Sequence, residues 1–490
     1  MTGCDGKRGR GAPGLLAALL MLAGCADSGI ENPSAAAGGA QQPTGDSPSG
    51  PTASADDGLT ATPTGPTAGG AAGGDAPAPD EGGDTTAPGD GSLPPAGGGD
   101  GVTGPAPVQG RAPGLEPLQV APGYADLSVP LGEPLPDAPP GEWVYTEIEG
   151  AYCRDGSPAG LFYKYSATST NYFVFLEGGG ACFDDFFCPL NPQNVDEKVD
   201  GESILQAALL NFGGAAEVPQ TPHLDGMFKD DPRNPVADWN GVYVPYCSGD
   251  VYGGTRESAP VPRWPAGGEQ RFTGYENVSL MASRVVATFR DAEKALLTGS
   301  SAGGVGSLVN AGQLADTLAA HTNTRGFIVS DSGPVFDDPY LETCIQKEWR
   351  ELWGLQAAFP PDCEGCFNQD GGGIVRGLGR YLFEKYDGDH QVVGGLISSY
   401  DDEIMTMFFS KGLDGCNGSL LYPAGRYRAG LENFRDEIVD PSRFATYFMA
   451  GSFHMHLMEP RFYEENGVGM SIADWLGKLL DNEVVHANAQ

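Results

Sequence analysis

The stretch Leu296–Asn310, LLTGSSAGGVGSLVN, sets two adjacent serines between glycines. Gly299 and Gly303 stand two residues either side of Ser301, giving G-x-S-x-G. This spacing suits nucleophilic attack. A serine on a tight strand-to-helix turn has a strained backbone, and small residues two before and two after it avoid clashes. The helix start then offers N–H groups to a developing oxyanion. Ser301 is the candidate nucleophile, and Ser300 fills the variable position before it.

A serine needs a base, and the chain has six histidines, at 223, 321, 390, 454, 456 and 486. His454 and His456 lie in GSFHMHLME, just past an apolar run at 444–450. A base belongs there if the chain order is Ser, acid, His. The two alternate along the chain, so one of them serves as base. For the acid, LISSYDDEIMTMF places Asp401 and Asp402 directly after an apolar run, and Asp331 in FIVSDSG holds a rival position. The ordinary role of an aspartate at such a place is a helix N-cap. Finally, FLEGGGACFDD puts three glycines after the run 172–176. Bare N–H groups there can approach a ligand, as in the HGGG-type oxyanion loop, with Glu177 in place of His.

These residues need strands to position them. YFVFL (172–176) and GVYVPYC (241–247) read as buried strands, as do ALLTG, GFIVSDS (326–332), VVGGLISSY (392–400) and FATYFMAGS (444–452). NVSLMASRVVATF (277–289) has Val278, Met281, Val285 and Phe289 at helical spacing. Further helices are expected from Ser301 and over SIADWLGKLL (471–480). Strand–helix alternation predicts an α/β fold, with a mostly parallel sheet and helices on both faces. In such sheets the chemistry sits beyond the carboxyl ends of the strands, where these candidates fall.

As a set, FLEGGGACF, PYCSGDVYGG (245–254), LLTGSSAGG, SSYDDE and GSFH resemble the pectin acetylesterase and Notum family of α/β hydrolases. The motifs span residues 172–454. The resemblance implies an α/β-hydrolase-like fold and a serine carboxylic-ester hydrolase. By the same resemblance Ser301 is its nucleophile, Asp401 its acid and His454 its base. Gly179, Gly180 and the N–H of Ala302 match the family's oxyanion hole, and Ser248, Gly249 and Asp250 border its cleft. It implies no metal or cofactor. Substrates are O-acetyl or other O-acyl groups on a polysaccharide, or a lipid-like acyl ester as in Notum. A binding lipoprotein that keeps only the fold is the competing class. Many members carry Trp or Tyr after Leu-Glu-Gly-Gly. Here Gly180 and Ala181 follow, which widens that wall of the pocket.

The remaining sequence bounds the setting. Lys7, Arg8 and Arg10 precede an apolar stretch from Ala12 to Ala23, too short to span a bilayer. Leu22-Ala23-Gly24-Cys25 resembles a bacterial lipobox, so residues 1–24 are expected to be a signal peptide and Cys25 a lipidated N-terminus tethering the protein to a cell-envelope membrane. Plain secretion is the alternative. Residues 25–140 are rich in Gly, Pro, Ala and Asp, with little to bury, and predict a disordered stalk. The folded domain is then 141–490. The net charge of −37 argues against nucleic acid as a partner. Eight cysteines in the folded part predict disulfides, with CEGC at 363–366 as a metal or redox alternative.

Overall fold

The computed structural model describes residues 117–198, 216–217, 225–261, 268–334, 336–366, 374–386, 392–418 and 421–489. The expected signal peptide, Cys25, and the stalk as far as residue 116 lie outside the described residues. So do His223 and His390.

A nine-stranded sheet organises the chain. Its strands are β1 (Val144–Tyr152), β2 (Pro158–Lys164), β3 (Tyr172–Leu176), β4 (Asn240–Val244), β5 (Lys294–Ser300), β6 (Arg325–Asp331), β7 (Val393–Ser399), β8 (Phe444–Met449) and β9 (Ala487–Asn488). The spatial order is β1-β2-β4-β3-β5-β6-β7-β8-β9. β1 pairs antiparallel with β2, and β2 with β4; every other pair is parallel. The expected mostly parallel sheet is present, with an antiparallel hairpin added at one edge.

Side-chain alternation divides the core into two layers. Tyr172 and Leu176 of β3 face one layer, and Phe173 and Phe175 the other; Leu297 and Leu296 of β5 divide in the same way. Helices cover both faces. Against the first lie α1 (Gly274–Thr288), through Val278, Met281 and Val285, and α3 (Ala311–His321), through Leu314 and Leu318. Between them in the chain, α2 (Ala302–Val309) follows β5. Three further helices are α4 (Thr343–Trp353), α5 (Ile374–Lys385) and α6 (Glu403–Ser410). The last, α7 (Ile472–Leu480), packs Trp475 and Leu476 on the second layer. Its start is set by Ser471, whose hydroxyl accepts the Asp474 N–H.

The expected stalk boundary at residue 140 needs correction. Residues 117–140 pack on the domain, with Leu118, Ala121 and Leu135 buried. The N–H of Leu127 donates to Asp316 Oδ2 at 2.6 Å, that of Val129 to Thr317 Oγ1 at 3.0 Å, and that of Leu135 to Thr288 Oγ1 at 2.7 Å. A few leucines and borrowed side-chain acceptors order this segment. Its own composition does not reveal those partners.

Candidate active site

Register brings the candidate strand ends together. Asp331 pairs with Ser300 across β5–β6 and with Ile397 across β6–β7, and Ser399 pairs with Met449 across β7–β8. Each strand therefore releases its next residues at one edge of the sheet.

Ser301 is the single residue between β5 and α2. Its backbone has φ 57° and ψ −120°, a strained conformation for a residue with a side chain. The glycines of G-x-S-x-G are required by close approach. A Cβ on Gly303 would land on the Leu176 carbonyl, and one on Gly299 would meet both that carbonyl and the carbonyl of Gly303. The elbow is thus pressed against the end of β3, where the glycine loop begins. The two serines face different surroundings. Ser300 is fully buried and its hydroxyl donates to Asp331 Oδ2 at 2.6 Å. Ser301 lines a pocket.

His454 Nδ1 lies 2.8 Å from Asp402 Oδ2 and 3.0 Å from Asp402 Oδ1. An ionised carboxylate only accepts, so Nδ1 carries the proton and Nε2 keeps its lone pair. That Nε2 is buried and has no hydrogen-bond partner among the described residues. The expected acid, Asp401, is not brought to His454. Its side chain is exposed while Asp402 is fully buried, so the structure moves this position by one residue. The cause is the start of α6. Asp402 is its N-cap, with Oδ1 accepting from Ile404 N at 3.0 Å and Met405 N at 2.9 Å. His456 is fully buried, with Nε2 3.4 Å from Ser399 Oγ. Burial pushes its pKa down, which disfavours its charged form.

The turn that carries His454 reaches the elbow. A Cβ on Gly178 would sit 3.0 Å from Ser301 Cβ and 3.4 Å from Met455 Sδ. The loop Gly178–Gly180 therefore runs between Ser301 and the turn that carries His454. Gly180 has φ 78°, which glycine adopts without cost. Among the described residues, the N–H groups of Gly179, Gly180 and Ala302 donate to no acceptor. They are the three positions expected to form an oxyanion hole.

Ser248, Gly249 and Asp250 do not line the pocket, contrary to expectation. All three are buried. Asp250 takes hydrogen bonds from Ser248 Oγ at 2.6 Å, Tyr252 N at 3.1 Å and Gly274 N at 2.8 Å, so its carboxylate braces a turn. The Gly249 carbonyl accepts the Cys182 N–H at 2.8 Å and holds the glycine loop from behind. The next residue, Val251, does line the pocket.

Sequence reasoning missed most of the pocket. Trp349 and Trp353 of α4, Met405, Phe408 and Phe409 of α6, and Phe359 line it with Ser301, Gly180 and Ala181. Trp349 and Trp353 stack at 5.6 Å, one helical turn apart. Gln346 brings a second polar side chain to the lining of this pocket. The cavity measures about 70 Å³, whereas a single water needs roughly 10–15 Å³. The only available signal was the i, i+4 tryptophan spacing and the Met/Phe run in EIMTMFFS, which reads equally as ordinary core. All eight cysteines of the folded part are paired, as 153–247, 182–188, 344–416 and 363–366. The CEGC pair is therefore a disulfide. The first of these bridges and 182–188 flank the glycine loop and the turn behind it.

Comparison with known proteins agrees with this architecture. The pectinacetylesterase family model matches residues 143–370. Palmitoleoyl-protein carboxylesterase notum1a of Danio rerio is 31% identical over 199 residues, 40% of this chain and 36% of that protein. The human palmitoleoyl-protein carboxylesterase NOTUM is 31% identical over 169 residues, 34% of this chain and 30% of that protein. Pectin acetylesterase 5 of Arabidopsis thaliana is 29% identical over 195 residues, 39% of this chain and 40% of that protein. The chain thus spans about a third of the length of the curated relatives it matches. The crystal structure of the Wnt deacylase Notum from Drosophila shares the fold, with a TM-score of 0.50 at 20% identity over 71% of this chain and 95% of that one. The family match contains Gly179, Gly180, Ser301 and Ala302 and ends before Asp402 and His454. Residues 143–370 match the pectinacetylesterase family model, and the chain is similar both to Notum carboxylesterases and to a pectin acetylesterase.

Proposed function

We propose that this protein is a serine carboxylic-ester hydrolase with a Ser301–His454–Asp402 triad. Ser301 Oγ attacks the ester carbonyl carbon while His454 Nε2 takes its proton. The carbonyl oxygen becomes an oxyanion held by the N–H groups of Gly179, Gly180 and Ala302, each worth on the order of 10²–10³-fold in rate. The intermediate collapses, the C–O bond to the alcohol breaks, and the alcohol leaves with the proton from His454. Water repeats the sequence on the acyl-serine and releases the acid. Asp402 holds the imidazole in one tautomer and stabilises its charged form.

The observation that carries this reading is the strained Ser301 at an apolar pocket. The pocket also bears on the substrate. An acetyl methyl is about the size of one water and would leave most of an apolar cavity of about 70 Å³ unfilled. The reading favoured here is an apolar acyl group longer than acetyl, esterified to an exposed hydroxyl. Removal of O-acetyl groups from a polysaccharide is the second reading, supported by the pectinacetylesterase match.

One assay separates them: hydrolysis of p-nitrophenyl esters from acetate to octanoate by the folded protein, beside Ser301→Ala and His454→Ala. A kcat/KM that rises with chain length favours the longer acyl group, and a preference for acetate favours the polysaccharide ester. Both variants should lose about 10⁴-fold or more. Equal activity in wild type and Ser301→Ala would remove the triad and leave a binding protein on a hydrolase fold. The N-terminal reading belongs to the same proposal. Cys25 is a lipidated N-terminus after removal of residues 1–24, and the four disulfides fit an oxidising compartment. Incorporation of labelled palmitate that persists in Cys25→Ser would contradict the anchor.

A further inference from the structure

Asp331 was a rival for the acid position, and its carboxylate does something else. It is fully buried at the end of β6. Oδ2 accepts from Ser300 Oγ at 2.6 Å, from His456 N at 2.7 Å and from Leu457 N at 2.9 Å. Oδ1 accepts from Ser332 Oγ at 3.1 Å. Ser332 Oγ in turn accepts the Met455 N–H at 3.0 Å. Three successive N–H groups, of residues 455, 456 and 457, thus converge on one carboxylate or on the hydroxyl attached to it. Met455 adopts φ 65°, which turns the chain so that the three can converge. Such a run of N–H groups is an anion nest. Here the anion is supplied from within the fold. The same residue also holds the elbow, because its main-chain carbonyl accepts the Ser301 N–H at 2.8 Å.

We infer that Asp331 is the positioning residue that sets the base against the nucleophile, by folding the turn after His454 around its carboxylate, which is tied to Ser300, while its main chain holds Ser301. This rests on the serine-hydrolase reading above. Asp402 fixes the rotation of the imidazole ring. Asp331 fixes where the backbone of that ring sits relative to the elbow. A misplacement of about 1 Å at such a pair costs on the order of 10²-fold in rate. Asparagine at 331 keeps the shape but presents either a neutral oxygen or an NH₂ group to three donors. The nest then loosens, while the apolar pocket that binds the acyl chain is untouched.

The test is steady-state hydrolysis of p-nitrophenyl butyrate by the full folded protein and Asp331→Asn, with labelling of Ser301 by a fluorophosphonate as a second readout. The expected result is kcat lower by about 30-fold or more with KM within about threefold, and labelling slowed in parallel. A residue that only stabilises the fold would lower the melting temperature and leave kcat of the folded fraction alone. That result overturns the inference, as does a raised KM at unchanged kcat. If Asp331→Asn does not fold, Ser300→Ala and Ser332→Ala decide, since each removes one link and leaves the carboxylate in place. A fall in kcat in both supports the inference, and unchanged kcat in both refutes it. Wild-type protein that hydrolyses the ester equally well as Ser301→Ala would instead sink the hydrolase reading itself, so the two failures are distinguishable.

Discussion

Replacing Asp402 by asparagine should abolish most activity and leave the fold nearly intact, whereas the same change at Asp401 should leave both activity and fold nearly unchanged. Asp402 has two separate tasks. Its carboxylate receives the His454 Nδ1 proton at 2.8 Å, and Oδ1 caps α6 through Ile404 N and Met405 N. Asparagine caps helices about as well as aspartate, so the stability change should stay below about 1 kcal/mol. The triad interaction does not survive the change. The amide can offer an N–H to Nδ1, which favours the tautomer with the proton on Nε2 and removes the lone pair that must accept from Ser301. Loss of this kind costs on the order of 10⁴-fold in kcat, or roughly 5.5 kcal/mol of barrier at 1.36 kcal/mol per tenfold. Asp401 is exposed, and among the described residues its one hydrogen bond is from its N–H to the Gly451 carbonyl at 3.0 Å, which no side-chain change removes. Asp401→Asn should remain within about twofold of wild type. The assay is initial-rate hydrolysis of p-nitrophenyl butyrate with thermal melts of the same samples. A large loss in Asp401→Asn with normal activity in Asp402→Asn would refute the assignment of the acid. A collapse of the melting temperature in Asp402→Asn would refute the separation of its two tasks.

Other perturbations follow from charge. Glu276 stands exposed in the first turn of α1, with its pKa raised to about 7, by partial loss of hydration first and then by nearby Asp250 and Glu257. A carboxyl raised in the fold contributes stability that is complete below its unfolded value and lost as pH rises through about 7. Glu276→Gln should therefore melt higher than wild type at pH 8, and the gain should vanish at about pH 4.5. His456 is the opposite case: burial lowers its pKa, so its contribution is present above the unfolded value of about 6.5 and lost as pH falls below it. Melting temperature should depend less on pH between 7 and 5 in His456→Gln than in wild type. Lys385 Nζ and Asp316 Oδ2 pair at 2.5 Å with both side chains fully buried. Lys385→Met leaves an uncompensated carboxylate and should cost about 3–5 kcal/mol in urea unfolding, with activity per folded molecule retained.

Much of the sheet was legible in the sequence, because its parallel strands are buried on both sides and read as short apolar runs. The elbow was legible for a related reason. Gly299 and Gly303 are forced by contact with the end of β3, so their spacing marks Ser301 directly. The pocket walls were not legible. They come from α4 and α6, separated by 50 residues from Trp353 to Glu403, and an aromatic that lines a cavity looks in sequence like one that fills the core. Ser248-Gly249-Asp250 misled in the opposite direction. Serine and aspartate beside a glycine suggest a site, yet here the carboxylate is consumed by three donors of its own surroundings.

The one-residue displacement from Asp401 to Asp402 has a physical origin in how β7 ends. Past Ser399 the chain does not turn at once. Tyr400 N still donates to the Met449 carbonyl, Asp401 N to that of Gly451 and Glu403 N to that of Ser452, so the exits of β7 and β8 stay zipped together. That zipper carries the base turn alongside the start of α6. Helix begins at Glu403, and the residue just before it must be the one whose side chain folds back over the first N–H groups. A helix cap and a catalytic acid looked like competing roles for these aspartates. Under the proposed mechanism they are one role, since the two N–H bonds from Ile404 and Met405 pin the carboxylate that meets His454. Asp401 has no helix start to cap, so it has nothing to hold it against the imidazole.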